Sequence, residues 1–272
     1  MSRQTMGKTG RWAALVIWSA AAAMPLLSRQ APQQDMESLL DKISQKIKAS
    51  LDYKSWRASI VSTITKTDKN WTPEEVTVVT KSVGSSAEGE PREEIQKALQ
   101  TKKGKTTDIT QKYAEERRKE REKAGKRRAE EETAESADDK HDGGAMSLDE
   151  FLPFSEKKRK DFEFRLRERP ISEGLTVSVL EARAKVKSLR NWEGTFSFNP
   201  ETYDLISLDL RPSQIPKMVK ELAMQIDFEV LDNRCLVLKR MQFKVNGGIF
   251  IKHVRMIIED VYANFEVLDE KN

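Results

Sequence analysis

The sequence predicts an α+β, mainly β protein built on a curved antiparallel sheet, and three features of its patterning predict it. Apolar and polar residues alternate with period two from Phe151 almost to the end of the chain, interrupted only by short turns. A single segment near the start, Asp35 to Leu51, carries a strong helical stripe. Between them, from Lys112 to Glu132, almost every residue is charged, so that stretch has helical charge spacing but nothing apolar to bury.

The N-terminal segment precedes the fold. Arg3, Lys8 and Arg11 form a basic start, and Trp12 to Leu27 follow without a charge. This is the pattern of a secretory signal; the apolar run of about 16 residues falls short of the roughly 20 that a membrane span needs. An uncleaved N-terminal anchor is the competing reading. The mature chain is expected to begin between Leu27 and Ala31, and no cysteine follows the run to take a lipid. The expected organisation is a signal sequence over residues 1–31 and a single envelope β-domain over 35–268. A charged, partly disordered insertion interrupts that domain over 85–147.

The helical stripe comprises Met36, Leu39, Leu40, Ile43, Ile47 and Leu51, with Asp35 placed to cap it. Period two begins at Trp56, where Ala58, Ile60 and Ile64 alternate with Arg57, Ser59 and Thr63. A turn over Asp68 to Pro73 leads into Val76, Val78 and Val79, making a hairpin. Ser85 to Pro91 has loop composition, and Ile95 to Leu99 fits a short helical patch. The charged helix then gains support from Glu115–Lys119 and Glu122–Lys126 spacing, and fades into the acidic, glycine-containing stretch Glu135 to Ala145. It reads as a surface insertion that can be deleted, or as a docking arm for a partner.

The C-terminal part alternates through Phe162, Phe164 and Leu166, then Leu175, Val177 and Val179, then Trp192, Phe196 and Phe198. Ile206, Leu208 and Leu210 follow a turn at Asn199 to Thr202, and Leu222 to Val230 alternate strictly. Asp232-Asn233 and Asn246-Gly247-Gly248 mark further turns before a last strand from Ile249 towards Tyr262. Six or seven strands in sequence through short turns make an antiparallel meander. With the N-terminal hairpin this gives eight or nine strands, apolar on one face. The N-terminal helix, the Ile95 patch and a segment at Ile215 to Val219 are too little to cover such a face, so the sheet must curl or leave a concave apolar surface.

Composition narrows the chemistry. The 48 basic residues nearly cancel the 44 acidic ones, so the whole-chain charge does not point to nucleic acid. One cysteine, Cys235, cannot form an intrachain disulfide, and stability must come from a core. Cys235 reads as a small buried hydrophobe rather than a reactive thiol. The two histidines, His141 and His253, are not accompanied by metal-ligand spacing. Gly247-Gly248 opens no helix that could hold a phosphate, and no serine sits in a G-x-S-x-G elbow. The chain is expected not to be an enzyme and to need no cofactor or metal.

The order of elements resembles the periplasmic lipoprotein-carrier superfamily, which holds the outer-membrane lipoprotein-sorting proteins and related sigma-factor regulatory sensors. The features that carry the likeness are the apolar leader, the amphipathic helix Met36 to Leu51, the aromatic-led strand from Trp56 and the C-terminal meander. The run from Trp192 to Thr202 is similar to a strand–turn–strand segment that recurs in that group, and the strands Leu222 to Val230 and Leu236 to Val245 fit the same frame. The charged insertion is an addition to the pattern. The resemblance implies an open half-barrel whose concave apolar face, closed by helices, holds acyl chains. The expected function is a non-catalytic protein of the periplasm or cell envelope that binds a lipid or lipoprotein acyl group. The alternative is an envelope sensor or scaffold that binds a protein partner. The expected apolar ligand surface is Trp56, Ile60, Phe162, Phe164, Trp192, Phe196, Phe198, Leu208, Met224, Ile226 and Phe228; each also has the plainer reading of core packing.

Overall fold

The computed structural model describes residues 36–53, 55–85, 91–134, 148–170, 176–232, 234–249 and 252–268. Residues 1–35, with the expected signal sequence, and the acidic stretch from Glu135 to Ala145, with His141, lie outside them. The elements run α1 (Met36–Ser50), β1 (Trp56–Thr67), β2 (Pro73–Ser85), β3 (Pro91–Lys102), β4 (Lys105–Asp108) and α2 (Thr110–Ala134). Then come α3 (Leu148–Phe151), α4 (Glu156–Arg159), β5 (Phe162–Pro170), β6 (Thr176–Ala184), β7 (Trp192–Phe198) and β8 (Leu205–Pro212). The last three are β9 (Val219–Leu231), β10 (Cys235–Ile249) and β11 (Lys252–Val267).

All eleven strands form one unclosed, curved antiparallel sheet in the order β4-β3-β2-β1-β11-β10-β9-β8-β7-β6-β5. It consists of two meanders, β1 to β4 and β5 to β11, joined where β1 pairs with β11. The first and last strands of the chain therefore lie side by side inside the sheet. The mainly β, curved-sheet fold with an N-terminal amphipathic helix and a charged helix is the one the alternation predicts.

The turns follow their side chains. Asp68 accepts backbone N–H bonds from Asn70 and Thr72, and these bonds hold its carboxyl below the usual carboxylate range. Lys103 and Gly104 join β3 to β4 with φ of 49° and 75°, the two-residue geometry that suits strand twist.

The stripe of α1 works as its spacing implies. Leu39, Leu40, Ile43 and Ile47 are buried against the sheet. They share a core with Leu180, Phe196, Leu208, Met224 and Ile226 and with Phe151, Leu152 and Phe154 from the α3–α4 segment. This defines the inner face. Arg159 ties the α4 end to α1 through Glu37 and Asp41, at 2.8 and 2.6 Å.

Four expectations are corrected. Ile95 to Leu99 is not helical but lies in β3, where Val79 pairs with Ala98 and Val78 with Leu99. The sheet therefore continues into the region assigned to the insertion, and it has eleven strands rather than eight or nine. Asn246-Gly247-Gly248 is not a turn. It belongs to β10, with a register shift after Asn246, and that strand runs on to Ile249, which pairs with Lys252 on β11. Ile215 to Val219 forms no helix; it is the β8–β9 connection running into β9. Finally, α2 is not a purely solvated helix, because its first turns lie on β3 through half-buried Tyr113, Ala114 and Arg117.

Candidate functional site

Cross-strand pairing places the inner-face side chains in rows. One row runs Met224, Phe243, Ile258, Ile64, Thr77 and Gln100 from β9 to β3. On one side of it lies the row Leu222, Val245, Met256, Lys66, Glu75 and Lys102; on the other lies Ile226, Met241, Asp260, Ser62, Val79 and Ala98. The first two rows change from apolar at β9 to polar at β2 and β3, whereas the third is polar in its middle, at Asp260 and Ser62, and apolar at Val79 and Ala98.

The eleven residues expected to form an apolar ligand surface fall into two groups. Phe162, Phe196, Phe198, Leu208, Met224, Ile226 and Phe228 are 0 to 8% exposed and belong to the core beneath α1 and the α3–α4 segment. Phe164 and Trp192 flank that core and are half-buried, with Trp192 edge-on to Phe151 at 5.1 Å. Trp56 and Ile60 lie apart from it on β1. Ile60 is 3% exposed, and Trp56 is stacked on Phe265 at 5.2 Å, with Tyr53 edge-on to the same ring. The Tyr53 hydroxyl donates to the Leu236 carbonyl, and burial, with Cys235 adding a smaller contribution, pushes its pKa up to about 12. Most of the expected surface is thus filled by the protein's own helices.

Another group remains. Ile64, Met256, Ile258, Met241, Phe243 and Val245 are half-buried neighbours on β1, β11 and β10. In sheet order β11 and β1 lie between β10, the strand that α1 contacts, and β3, the strand that α2 contacts. Alternation marked Ile64, Met241, Phe243 and Val245 as apolar strand positions, but nothing in the sequence separated them from the positions that the helices cover.

Polar groups border this strip. On the α2 side, Glu93 is held by Lys81 at 3.0 Å and by Arg117 and Arg121 at 3.8 and 3.9 Å. Burial raises the pKa of Glu93, but these cations outweigh it and leave the carboxyl below the usual range. Ser62 and Asp260, directly opposite each other, each have a buried side-chain oxygen without a hydrogen-bond partner. Beside them, burial and the Asp260 charge raise the pKa of Tyr262. At the other border the Glu75 carboxyl is depressed, first by its bond from Lys66 and then by Lys102 at 3.1 Å. Gln100 also donates to Glu75. The border is thus a set of closed ion pairs plus two buried oxygens, and the strip between is apolar.

A separate cleft of about 460 Å³ lies near the start of β1, lined by Arg57, Arg92, Glu94 and Glu266. Its lining is of mixed charge, and Arg57 is bound to Glu266 within it. Among the described residues no three His, Cys, Asp or Glu side chains converge as a metal site would need. Cys235 is partly buried.

No protein-family profile matches the chain, and no curated protein matches it. Solved structures similar to it include a LolA superfamily protein from Nitrosomonas europaea, at 11% identity and TM-score 0.33, covering 86% of this chain and 94% of that one. An outer membrane lipoprotein-sorting protein domain from Vibrio parahaemolyticus is similar at 10% identity and TM-score 0.34, covering 84% and 91%. The Pseudomonas aeruginosa MucA/MucB complex gives 8% identity and TM-score 0.25 over 83% of this chain and 94% of that one.

Proposed function

We propose that this chain is a non-catalytic binding protein of the cell envelope, exported by its N-terminal segment, and that it holds an acyl chain of a lipid or lipoprotein against its inner face. The observation that carries the reading is the strip Ile64, Met256, Ile258, Met241, Phe243 and Val245. Six apolar side chains on three adjacent strands stay half-exposed beside a buried core. Half-exposed apolar surface next to a rigid wall suits a flexible hydrocarbon, which gains about 0.8 kcal/mol for each CH₂ it buries. Buried Met224, paired with Phe243 across β9 and β10, belongs to that wall.

The test pairs binding of a fluorescent fatty-acyl probe with denaturant unfolding. Phe196→Ala opens a cavity in packed core and should cost about 3–5 kcal/mol. Phe243→Ala and Ile258→Ala should cost less than half of that and reduce probe affinity about tenfold or more, each losing a few CH₂ contacts. Wild-type protein that binds no probe, or strip variants that bind as wild type does, would defeat the reading. Mass spectrometry of an organic extract would identify a bound lipid.

A second reading, an envelope sensor or scaffold for a protein partner, is favoured by the outer face. Val61 and Val261, opposite each other on β1 and β11, are 42% and 44% exposed, and Val78 on β2 is 36% exposed. Exposed branched residues on adjacent strands are a common mark of a protein contact. A protein rather than a lipid recovered with the purified chain, lost on Val61→Asp, would select this reading.

A further inference from the structure

The near-balance of charge in the sequence conceals a separation in space. Antiparallel pairing puts the β1–β2, β3–β4, β6–β7 and β8–β9 connections at one end of the sheet and the β7–β8 and β9–β10 connections at the other. The first set carries Lys69, Lys103, Lys185, Lys187, Arg190 and Lys217 against the single acid Asp68. That one carboxylate is occupied by backbone N–H groups of its own turn. In the second set, the described residues carry Glu201, Asp204 and Asp232 against Arg234. Of the carboxylates near the basic connections, Glu75 is paired with Lys66 and Lys102, Glu193 with Lys187 and Arg211, and Glu221 with Lys244, while Glu74 and Asp161 add two acids to this end.

The basic end also presents apolar tips. Val186, Leu189 and Met218 are 60%, 54% and 55% exposed, the three highest values among the large apolar side chains of the described residues. They are held on a built ridge. Ser213 donates its hydroxyl to the Ser188 carbonyl and accepts from the Ser188 N–H, both at 3.0 Å. The Ser213 N–H donates to Asn191, clipping the β6–β7 loop to the β8–β9 loop. The Met218 carbonyl accepts from the Gly248 N–H at 2.7 Å, tying that loop in turn to β10. Apolar tips on a braced base, among lysines and an arginine that outnumber the acids of these connections, meet the two demands of a membrane interface, shallow apolar insertion and attraction to anionic headgroups.

The geometry points to the end of the sheet carrying Leu189 and Met218 as a docking surface for an anionic lipid bilayer, with the acidic end facing away. An acidic polypeptide would account for the charge but not for three exposed apolar tips, which a lipid headgroup layer takes up. This orientation stands apart from the acyl-binding reading and can fail or hold without it.

The test uses the full chain with Cys235→Ser and an environment-sensitive thiol probe at Leu189→Cys, Met218→Cys or, at the opposite end, Glu201→Cys. On addition of vesicles of phosphatidylcholine with phosphatidylglycerol, the probes at 189 and 218 should shift to the blue and the probe at 201 should not. Vesicles of phosphatidylcholine alone should give little shift, and raising the salt should remove it. Arg190→Glu with Lys217→Glu should weaken vesicle affinity about tenfold or more, with unchanged thermal unfolding. Vesicle binding without a shift at 189 and 218 would assign attachment to the N-terminal segment and overturn the proposal. An equal shift at 201, or charge reversals without effect, would overturn it too. A shift with polyglutamate but not with vesicles would assign the end to an acidic protein instead.

Discussion

Gly194 sits in β7 with φ at 153°, and a Cβ built there would lie 2.0 Å from the Asp209 carbonyl oxygen on β8. No real Cβ tolerates that distance, so an added methyl must push β7 and β8 apart beside the core residues Phe196 and Leu210. Gly194→Ala is expected to cost about 2–4 kcal/mol, read as the shift of the urea unfolding midpoint. Gly104→Ala is the control, because its φ of 75° is strained for alanine but no atom lies within 4 Å of the added group. That change should cost only about 1 kcal/mol, and equal costs at the two sites would show that close approach is not what glycine serves in β7. Neither role was legible in the sequence. Trp192-Glu193-Gly194-Thr195-Phe196 reveals alternation but not how near the next strand comes. Gly247-Gly248 misled for the same reason. Glycine pairs suit a turn or a bulge equally, and the choice is made by β9, where the Val219 Cα would stand 3.1 Å from a Cβ at Gly247.

Elements were legible where one local signal dominated. The stripe of α1 and the alternation of β5 to β9 each encode their own burial, so position and face could be read together. Strand β3 failed that test. Glu93, Glu94, Gln96, Lys97, Ala98 and Leu99 are good helix formers, and they form a strand because β2 offers them a partner edge. The functional strip was only half legible, since alternation marks a face while coverage depends on where α1, Phe151 and Phe154 lie. The packing of α2 was hidden by its charge, because it is held by ions rather than by a stripe. Thr110 accepts the Ala98 N–H, and Arg121 donates to the Glu93 carbonyl, so the helix also occupies part of the free edge of β3. Glu93, with its folded pKa below the ordinary value of about 4.3, stabilises this contact above that pH and loses the contribution as pH falls through the folded value. Amide exchange in the first turns of α2 should therefore accelerate, beyond its intrinsic pH trend, between about pH 5 and pH 3. Glu93→Gln should exchange fast already at pH 7. Unchanged protection in that variant would show that the Glu93 carboxylate does not hold the helix.

At the scale of the whole molecule, the two meanders differ from the seam that unites them. Strands β5 to β11 pair with their neighbours in sequence, and so do β1 to β4, whereas Ile60 on β1 meets Tyr262 on β11 across most of the chain. The Ser55 carbonyl accepts from the Leu268 N–H at 2.8 Å, so the two outer limits of the sheet sequence meet at the same place. Long-range pairing must overcome the closure entropy of everything between, and local hairpins form before it is repaid. The seam should accordingly form late. Ile60 and Ile226 allow a matched comparison, being 3% and 2% exposed and both on the inner face. Ile226 has local neighbours on both sides, Leu208 and Met241; Ile60 has one local neighbour, Lys81, and one across the seam. Ile→Val at either site should cost about 0.5–1.5 kcal/mol at equilibrium. In stopped-flow measurements Ile226→Val should slow refolding, while Ile60→Val should leave refolding nearly unchanged and speed unfolding. If Ile60→Val instead slows refolding as much as Ile226→Val does, the joining of β1 to β11 belongs to the folding nucleus, and the two meanders do not form ahead of it.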